Sequence, residues 1–257
     1  MGDIMKTGII KKESKTIIKG KRRQALSIVL FNLFFCAAMT ALSYGIIILS
    51  DRFSAVGLPV GITVAVILVI ISLVTLCVYS SVSVGEKAWY NGVTANKANY
   101  SRRLFFWFRP KNSFRALRFH FSLFFIKLSL AILFFLPCII LIWSINYLSG
   151  TGGLELYLFI SLAAGSLIFG ISGLIFYFVA VQRYFIAEYL FSSDPRLGVF
   201  TAINQSKNLL DGHIFEIVKF KLSFLPWFFG CLAVIPAFYF IPYYKESCCV
   251  VAKKITL

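Results

Sequence analysis

Acidic side chains and histidines are scarce in this sequence: ten Asp and Glu stand against 26 Lys and Arg, with two histidines in 257 residues. A hydrolase or transferase needs nucleophiles, bases or metal ligands that converge. His120 and His213 lie far apart, and neither has the His-x-x-x-His spacing of a zinc site. There is no Walker-type lysine loop, no Gly-x-Ser-x-Gly and no nucleotide-binding glycine fingerprint. The six cysteines include no Cys-x-x-Cys pair. Cys36, Cys77, Cys138 and Cys231 fall within apolar runs, where a thiol behaves as a small hydrophobe. Cys248 and Cys249 are adjacent, a poor arrangement for a mutual disulfide, and stand as unmodified thiols with acylation as the alternative. The sequence reads as that of a non-enzyme, with no metal and no cofactor.

Charge is also missing from long stretches of the chain. With 59% hydrophobic residues and a mean hydropathy of +0.84, a single water-soluble core would leave most apolar surface wet. Apolar runs of this length instead fit the hydrocarbon core of a bilayer. The expected fold is all-α, a polytopic transmembrane bundle of five or six spans with amphipathic interfacial helices. The net charge of +16 does not point to nucleic acid, because the cations flank the apolar runs rather than gathering on one module. The first run, Ala25 to Ser50, is roughly twice a signal-peptide core and is read as a retained span.

Residues 1–24 form a basic arm in which Ile9, Ile10, Ile17 and Ile18 make one stripe. The arm either lies as a short helix on the inner leaflet or stays a disordered tail. The remainder, 25–257, is read as one transmembrane domain with spans at about 25–49, 56–84, 119–147, 155–181 and 217–244. A turn at Asp51 and Arg52 joins the first two. Between the second and third lies the longest polar connection, 85–118, interrupted by Leu104 to Phe108, an aromatic cluster suited to headgroup level. Pro137 predicts a kink in the third span. Gly165, Gly170 and Gly173 supply a small-residue face in the fourth. Asp194 and Pro195 are expected to cap and start an interfacial helix over 195–211, with Leu197, Phe200, Ile203 and Leu210 on its apolar face and Gly212 as its stop. Residues 217–244 either cross once or break at Pro236 and return, the second option requiring partners for Lys245 and Glu246.

The charge pattern predicts sidedness. The arm and the 85–118 connection carry eight cations each, whereas the opposite side has Arg52 alone. The positive-inside rule then places the amino terminus and the long connection in the cytoplasm, held by about 1 kcal/mol per cation near an anionic leaflet.

In its last third the sequence resembles a known family. Asp194-Pro195, Ala202, Ser206, Leu210, Gly212, Phe215, Leu222-Ser223-Phe224, Trp227 and Ile241-Pro242-Tyr243 carry the likeness, together with Ile18-Lys19-Gly20 ahead of Ala25. They are similar to the domain of unknown function 975 family of bacterial polytopic membrane proteins, itself similar to the membrane domain of some glycerophosphodiesterases. Two departures stand out: Lys21, Arg22 and Arg23 replace an aromatic after the Lys-Gly pair, and only Gly230 and Pro236 represent the family's glycine-rich break. The resemblance implies a bacterial, Gram-positive cytoplasmic membrane and no particular activity.

Two groups of candidate site residues follow. Lys11, Lys12, Lys15, Lys19, Arg22, Arg23, Arg102, Arg103, Trp107 and Arg109 are expected to touch the membrane surface. Asn32, Lys127, Gln182, Arg183 and Glu188 are polar at membrane depth. The structural reading has Lys127 snorkelling to the inner headgroups and Arg183 pairing with Glu188. The expected function is a non-enzymatic, membrane-embedded interaction or scaffold protein, with a small permease or export component as the alternative. Its expected partners are the bilayer, with anionic inner-leaflet lipid, and a membrane protein, not nucleic acid.

Overall fold

Four helices are long and apolar enough to cross a membrane, and three of them are too long merely to do that. The computed structural model describes residues 7–53, 58–96, 100–150, 155–230 and 234–256, all of them helix, turn or short connection with no strand among them. Lys6, Lys97, Gly152, Gly153 and Cys231 fall outside the described residues. The first elements are α1 (Thr7–Lys19), α2 (Arg22–Phe53), α3 (Leu58–Thr94), α4 (Tyr100–Phe106) and α5 (Pro110–Gly150). There follow α6 (Leu156–Val181), a 3-10 turn at Gln182–Tyr184, α7 (Ala187–Ser193), α8 (Val199–Leu209), α9 (Ile214–Leu222), α10 (Leu225–Gly230) and α11 (Val234–Thr256).

The 41 residues of α5 span about 60 Å at 1.5 Å each, about twice a hydrocarbon core of roughly 30 Å. The surplus lies at one end. There the last turns of α3 and the first turns of α5 meet α4, α7, α8, α11 and α1 in a packed headpiece. One part of its core gathers Trp89, Tyr90, Ile186, Phe220, Phe224 and Cys249 around Ile10 and Ile18. The other stacks Phe119 on Phe191 at 4.3 Å beside Trp107 and Ala116.

Much of the expected long connection is therefore helix. The turn expected at Asp51 and Arg52 is also helical, because α2 runs to Phe53. Leu104 to Phe108 does not lie flat at headgroup level: Trp107 is 1% exposed and packs against Phe106 and Phe191. The basic arm is a helix, but it packs on α11 instead of resting its stripe on lipid. Ile10, Ser14 and Ile18 form the buried face at i, i+4, i+8, while Ile9 points outward.

The segment expected as the fifth span is divided into α9, α10 and α11. Phe224 meets Tyr243 and Tyr244, and Phe228 meets Phe240, so α10 and α11 run antiparallel. Two of the prolines fall where they cost nothing, and Pro242 lies inside α11. Pro226 and Pro236 sit in the first turns of α10 and α11, where backbone N–H groups have no intrahelical partner anyway. The last helix, α11, thus runs back to the headpiece.

Around 195–211 the expected start is late by several residues. Asp194 Oδ1 accepts the Arg196 N–H at 2.8 Å in a local turn, and Gly198 precedes the first turn of α8. The Arg115 guanidinium donates to the carbonyls of Pro195 and Leu197, which holds that turn open. The buried face is Val199, Ala202, Ile203 and Ser206, and Phe200 is exposed. Gly212 has φ +85°, the left-handed geometry expected of a helix stop.

In the membrane half, α5 and α6 pack most closely, and α5 continues through Pro137 as helix. The glycine face of α6 does meet α5. A Cβ on Gly173 would lie 2.7 Å from the Phe134 carbonyl oxygen, and those on Gly165 and Gly170 would lie 3.5 Å from Leu141 and Cys138. Gly173→Ala should therefore destabilise the chain by about 1–3 kcal/mol, the range for overpacking a close contact. A Cβ on Gly45 meets nothing within 4 Å, so Gly45→Ala should be neutral or gain up to ~1 kcal/mol of helix propensity. Thermal unfolding of both variants in detergent checks the contrast.

Candidate functional site

Successive residues on a helix point about 100° apart, and α3 uses this at Glu86 and Lys87. Glu86, 5% exposed, accepts from Lys245 of α11 at 2.6 Å. Lys87 turns to α7, where it pairs with Glu188, and donates to Ser83 Oγ one turn earlier at 3.0 Å. Glu188 also lies 4.0 Å from Lys127 Nζ of α5. Four helices are thus joined through two carboxylates.

Beside Glu188 the 3-10 turn presents Gln182, whose carbonyl oxygen accepts from Lys221 Nζ at 2.5 Å while its amide donates to the Phe178 carbonyl. Lys221 also sits over the Phe185 ring, 4.0 Å from its centroid. Lys127, Gln182, Glu188, Lys221, Tyr244 and Lys245 line a cavity of about 220 Å³.

A second polar seam joins α3 to α7 and α11. Asn91 donates to the Tyr189 carbonyl at 3.0 Å and to Ser192 Oγ at 2.8 Å, and its oxygen accepts the Cys249 thiol at 3.1 Å. Thr94 Oγ1 donates to Glu246 Oε1 at 2.8 Å. Tyr90 Oη and Glu246 Oε2 are buried and have no hydrogen-bond partner among the described residues. Burial pushes the Glu246 carboxyl up to about 7, against the opposing Thr94 bond. Cys248 and Cys249 are 3% and 0% exposed, and burial pushes the Cys248 thiol up to about 11. Both thiols are core residues, which removes them from reach of acylation.

Of the polar residues expected at membrane depth, Lys127, Gln182 and Glu188 come together. Arg183 does not pair with Glu188; its side chain is exposed and its carbonyl accepts from Ser206 at 2.9 Å. Lys127 faces Glu188 and the cavity. Asn32 stands elsewhere, on α2, with the Cys36 thiol 3.7 Å from its oxygen.

The expected surface group divides as well. Lys12, Lys15, Lys19, Arg23, Arg102 and Arg109 are exposed. Lys11 turns inward, donating to the Ser223 carbonyl at 2.9 Å and lying 4.3 Å from the Phe224 centroid. Arg22 covers the Tyr239 ring at 4.4 Å, Arg103 lines a cavity beside Asn91 and Lys253, and Trp107 is core. Glu86, Lys87, Lys221, Lys245 and Glu246 were not among the candidates. The available signal was rarity: Glu86 is the only acid among eight cations, and Lys221 interrupts an apolar run. His120 has an aromatic setting, edge-on to Tyr79 and Phe119, with Nδ1 3.1 Å from the Ala116 carbonyl. No group of three or more metal-ligating side chains gathers among the described residues.

The family model described as "Protein of unknown function (DUF975)" matches residues 5–256. The chain belongs to this family. No curated protein and no solved structure matches it. The residues that carry the family likeness cluster in and beside the headpiece. Ile18 is in its core, Pro195 is gripped by Arg115, Leu210 is buried, and Phe224 and Tyr243 pack on each other.

Two outcomes follow from these charges. Removing one member of a buried ion pair strands the other, a loss of about 3–5 kcal/mol when fully buried, whereas replacing both with apolar groups is near neutral. Lys245 is partly exposed, so Glu86→Leu or Lys245→Met alone should cost about 2–3 kcal/mol and the double variant much less. Chemical denaturation in detergent micelles reads the cycle. For Glu246, a folded pKa near 7 against an ordinary 4.5 means that the protonated acid favours the native state. That contribution is complete below about 4.5, falls as pH rises, and is gone above about 7. Glu246→Gln should therefore unfold like the parent near pH 4.5 and exceed it above pH 7 by on the order of 3 kcal/mol. A stability difference independent of pH would contradict this assignment.

Proposed function

We propose that the protein is a non-enzymatic, membrane-embedded interaction or scaffold protein whose headpiece is its working surface. One observation carries this reading. The packed core lies in the headpiece, whereas at most 17% of the apolar window of any of the four spans is buried, and none of it in α3 or α5. A carrier holds its substrate near the bilayer midplane between packed helices, and the membrane half of this chain has little interior in which to do so. The exposed cations of α1 and of the 100–118 segment share the headpiece. By the positive-inside rule this end faces the cytoplasm of a bacterial plasma membrane, where anionic lipid holds it.

A small permease or export component is the second reading. The cavity between Lys127, Glu188 and Lys221 favours it, since polar groups at membrane depth mark transport sites. Purification from native membranes in mild detergent should yield one membrane partner in fixed stoichiometry, and reconstituted vesicles should show no substrate flux. Flux that disappears in Glu188→Ala would reverse the order of the two readings. External protease on intact cells should leave the lysine-rich arm uncut.

A further inference from the structure

The cavity beside α7 carries more positive charge than its carboxylates balance. Among the described residues joined there, four ammonium groups, Lys87, Lys127, Lys221 and Lys245, meet two carboxylates, Glu86 and Glu188. Glu86 is committed to Lys245, and Glu188 lies against Lys87 with Lys127 at the edge of contact. The Lys221 nitrogen has two neutral neighbours, the Gln182 amide oxygen and the Phe185 ring. Two positive charges are therefore left over at one cavity, and neighbouring charges of one sign repel unless an anion joins them.

Size and setting narrow the anion. At about 220 Å³ the cavity far exceeds the ~30 Å³ share of one water. Its unbalanced donors are the ammonium groups of Lys127 and Lys221, which suit phosphoryl oxygens. Apolar side chains share the site: Val181 and Phe185 line the cavity, and Phe178, one turn before Gln182, is 41% exposed. A site with cations within and exposed apolar side chains beside it matches a lipid, phosphate inward and acyl chains along the helices. We propose that this cavity binds a phosphate-bearing anion, the headgroup phosphate of an anionic phospholipid, with Lys127 and Lys221 as its ligands. The proposal rests on the membrane-embedded reading above but not on the choice between scaffold and permease.

The test uses the full chain in neutral detergent, titrated separately with dioleoylphosphatidylglycerol, dioleoylglycerol and sodium phosphate. Thermal stability and native mass spectrometry are the readouts. Phosphatidylglycerol should raise the melting temperature and remain as a one-to-one adduct, while dioleoylglycerol, which has the chains without the phosphate, should do neither. Lys127→Gln and Lys221→Gln should each weaken the lipid about tenfold, and Lys127→Arg should restore it. Lys207→Gln, on the exposed face of α8, should leave the one-to-one lipid adduct intact. Sodium phosphate that reproduces the shift and displaces the lipid would uphold the phosphate chemistry and assign a free anion as its source. Equal effects of the two lipids, or undiminished lipid binding in folded Lys127→Gln/Lys221→Gln, would overturn the site alone. A chain that stays in solution without detergent would overturn the membrane reading with it.

Discussion

The pairing of Lys245 with Glu86 is the contact that allows the last helix to come back. An apolar segment carrying a lysine and a glutamate at its far end can re-enter a packed layer only if both charges find partners there. Glu86 supplies one, and the Thr94 hydroxyl supplies part of the other. With α11 returned, Cys248, Cys249, Val250 and Val251 close the core against Trp89 and Tyr90. Only then does α1 have a surface to dock on, clasped by Glu13 to Lys254 at 2.7 Å. The order of dependence runs from one ion pair to a helix, and from that helix to the amino-terminal arm.

Helix length explains why the core sits where it does. Hydrophobic burial cannot drive association among helices already solvated by lipid, so close packing there relies on small residues. Gly173 against Phe134 is such a contact, and it joins only α5 to α6. Beyond the bilayer the hydrophobic effect applies again. The turns of α3 and α5 beyond the apolar spans carry aromatics, and these pack into a core: Trp89 meets Tyr90 edge-on and Phe119 stacks on Phe191. The same helices are sparsely packed along one half and tightly packed along the other because the solvent changes along their length.

This change of solvent also set what could be read from the sequence. Hydropathy marked α2, α3, α5 and α6, because length and apolarity alone decide that a helix spans. Hydropathy falls at Gly85 whether the helix stops or merely leaves the lipid, so the continuation of α3 to Thr94 looked like the start of a loop. Trp107 had the composition of an interfacial anchor and became core because α7 brings Phe191 over it. Within the polar site, Lys127, Gln182 and Glu188 were legible as polar groups in apolar surroundings. Their pairing was not, since Lys87 and Lys221 reach them from helices distant in sequence.

The position of the polar groups bears on what such a molecule can do. Charges that line a route across a membrane must recur along its depth, or the barrier remains. Here the ion pairs and the cavity gather at one level, where α3, α5, α6 and α11 meet the headpiece. Charges confined to one level fix the depth and register of helices that lipid alone would let slide. Ion pairs gathered at one level tie helices to one another there and do not by themselves make a polar route along their length.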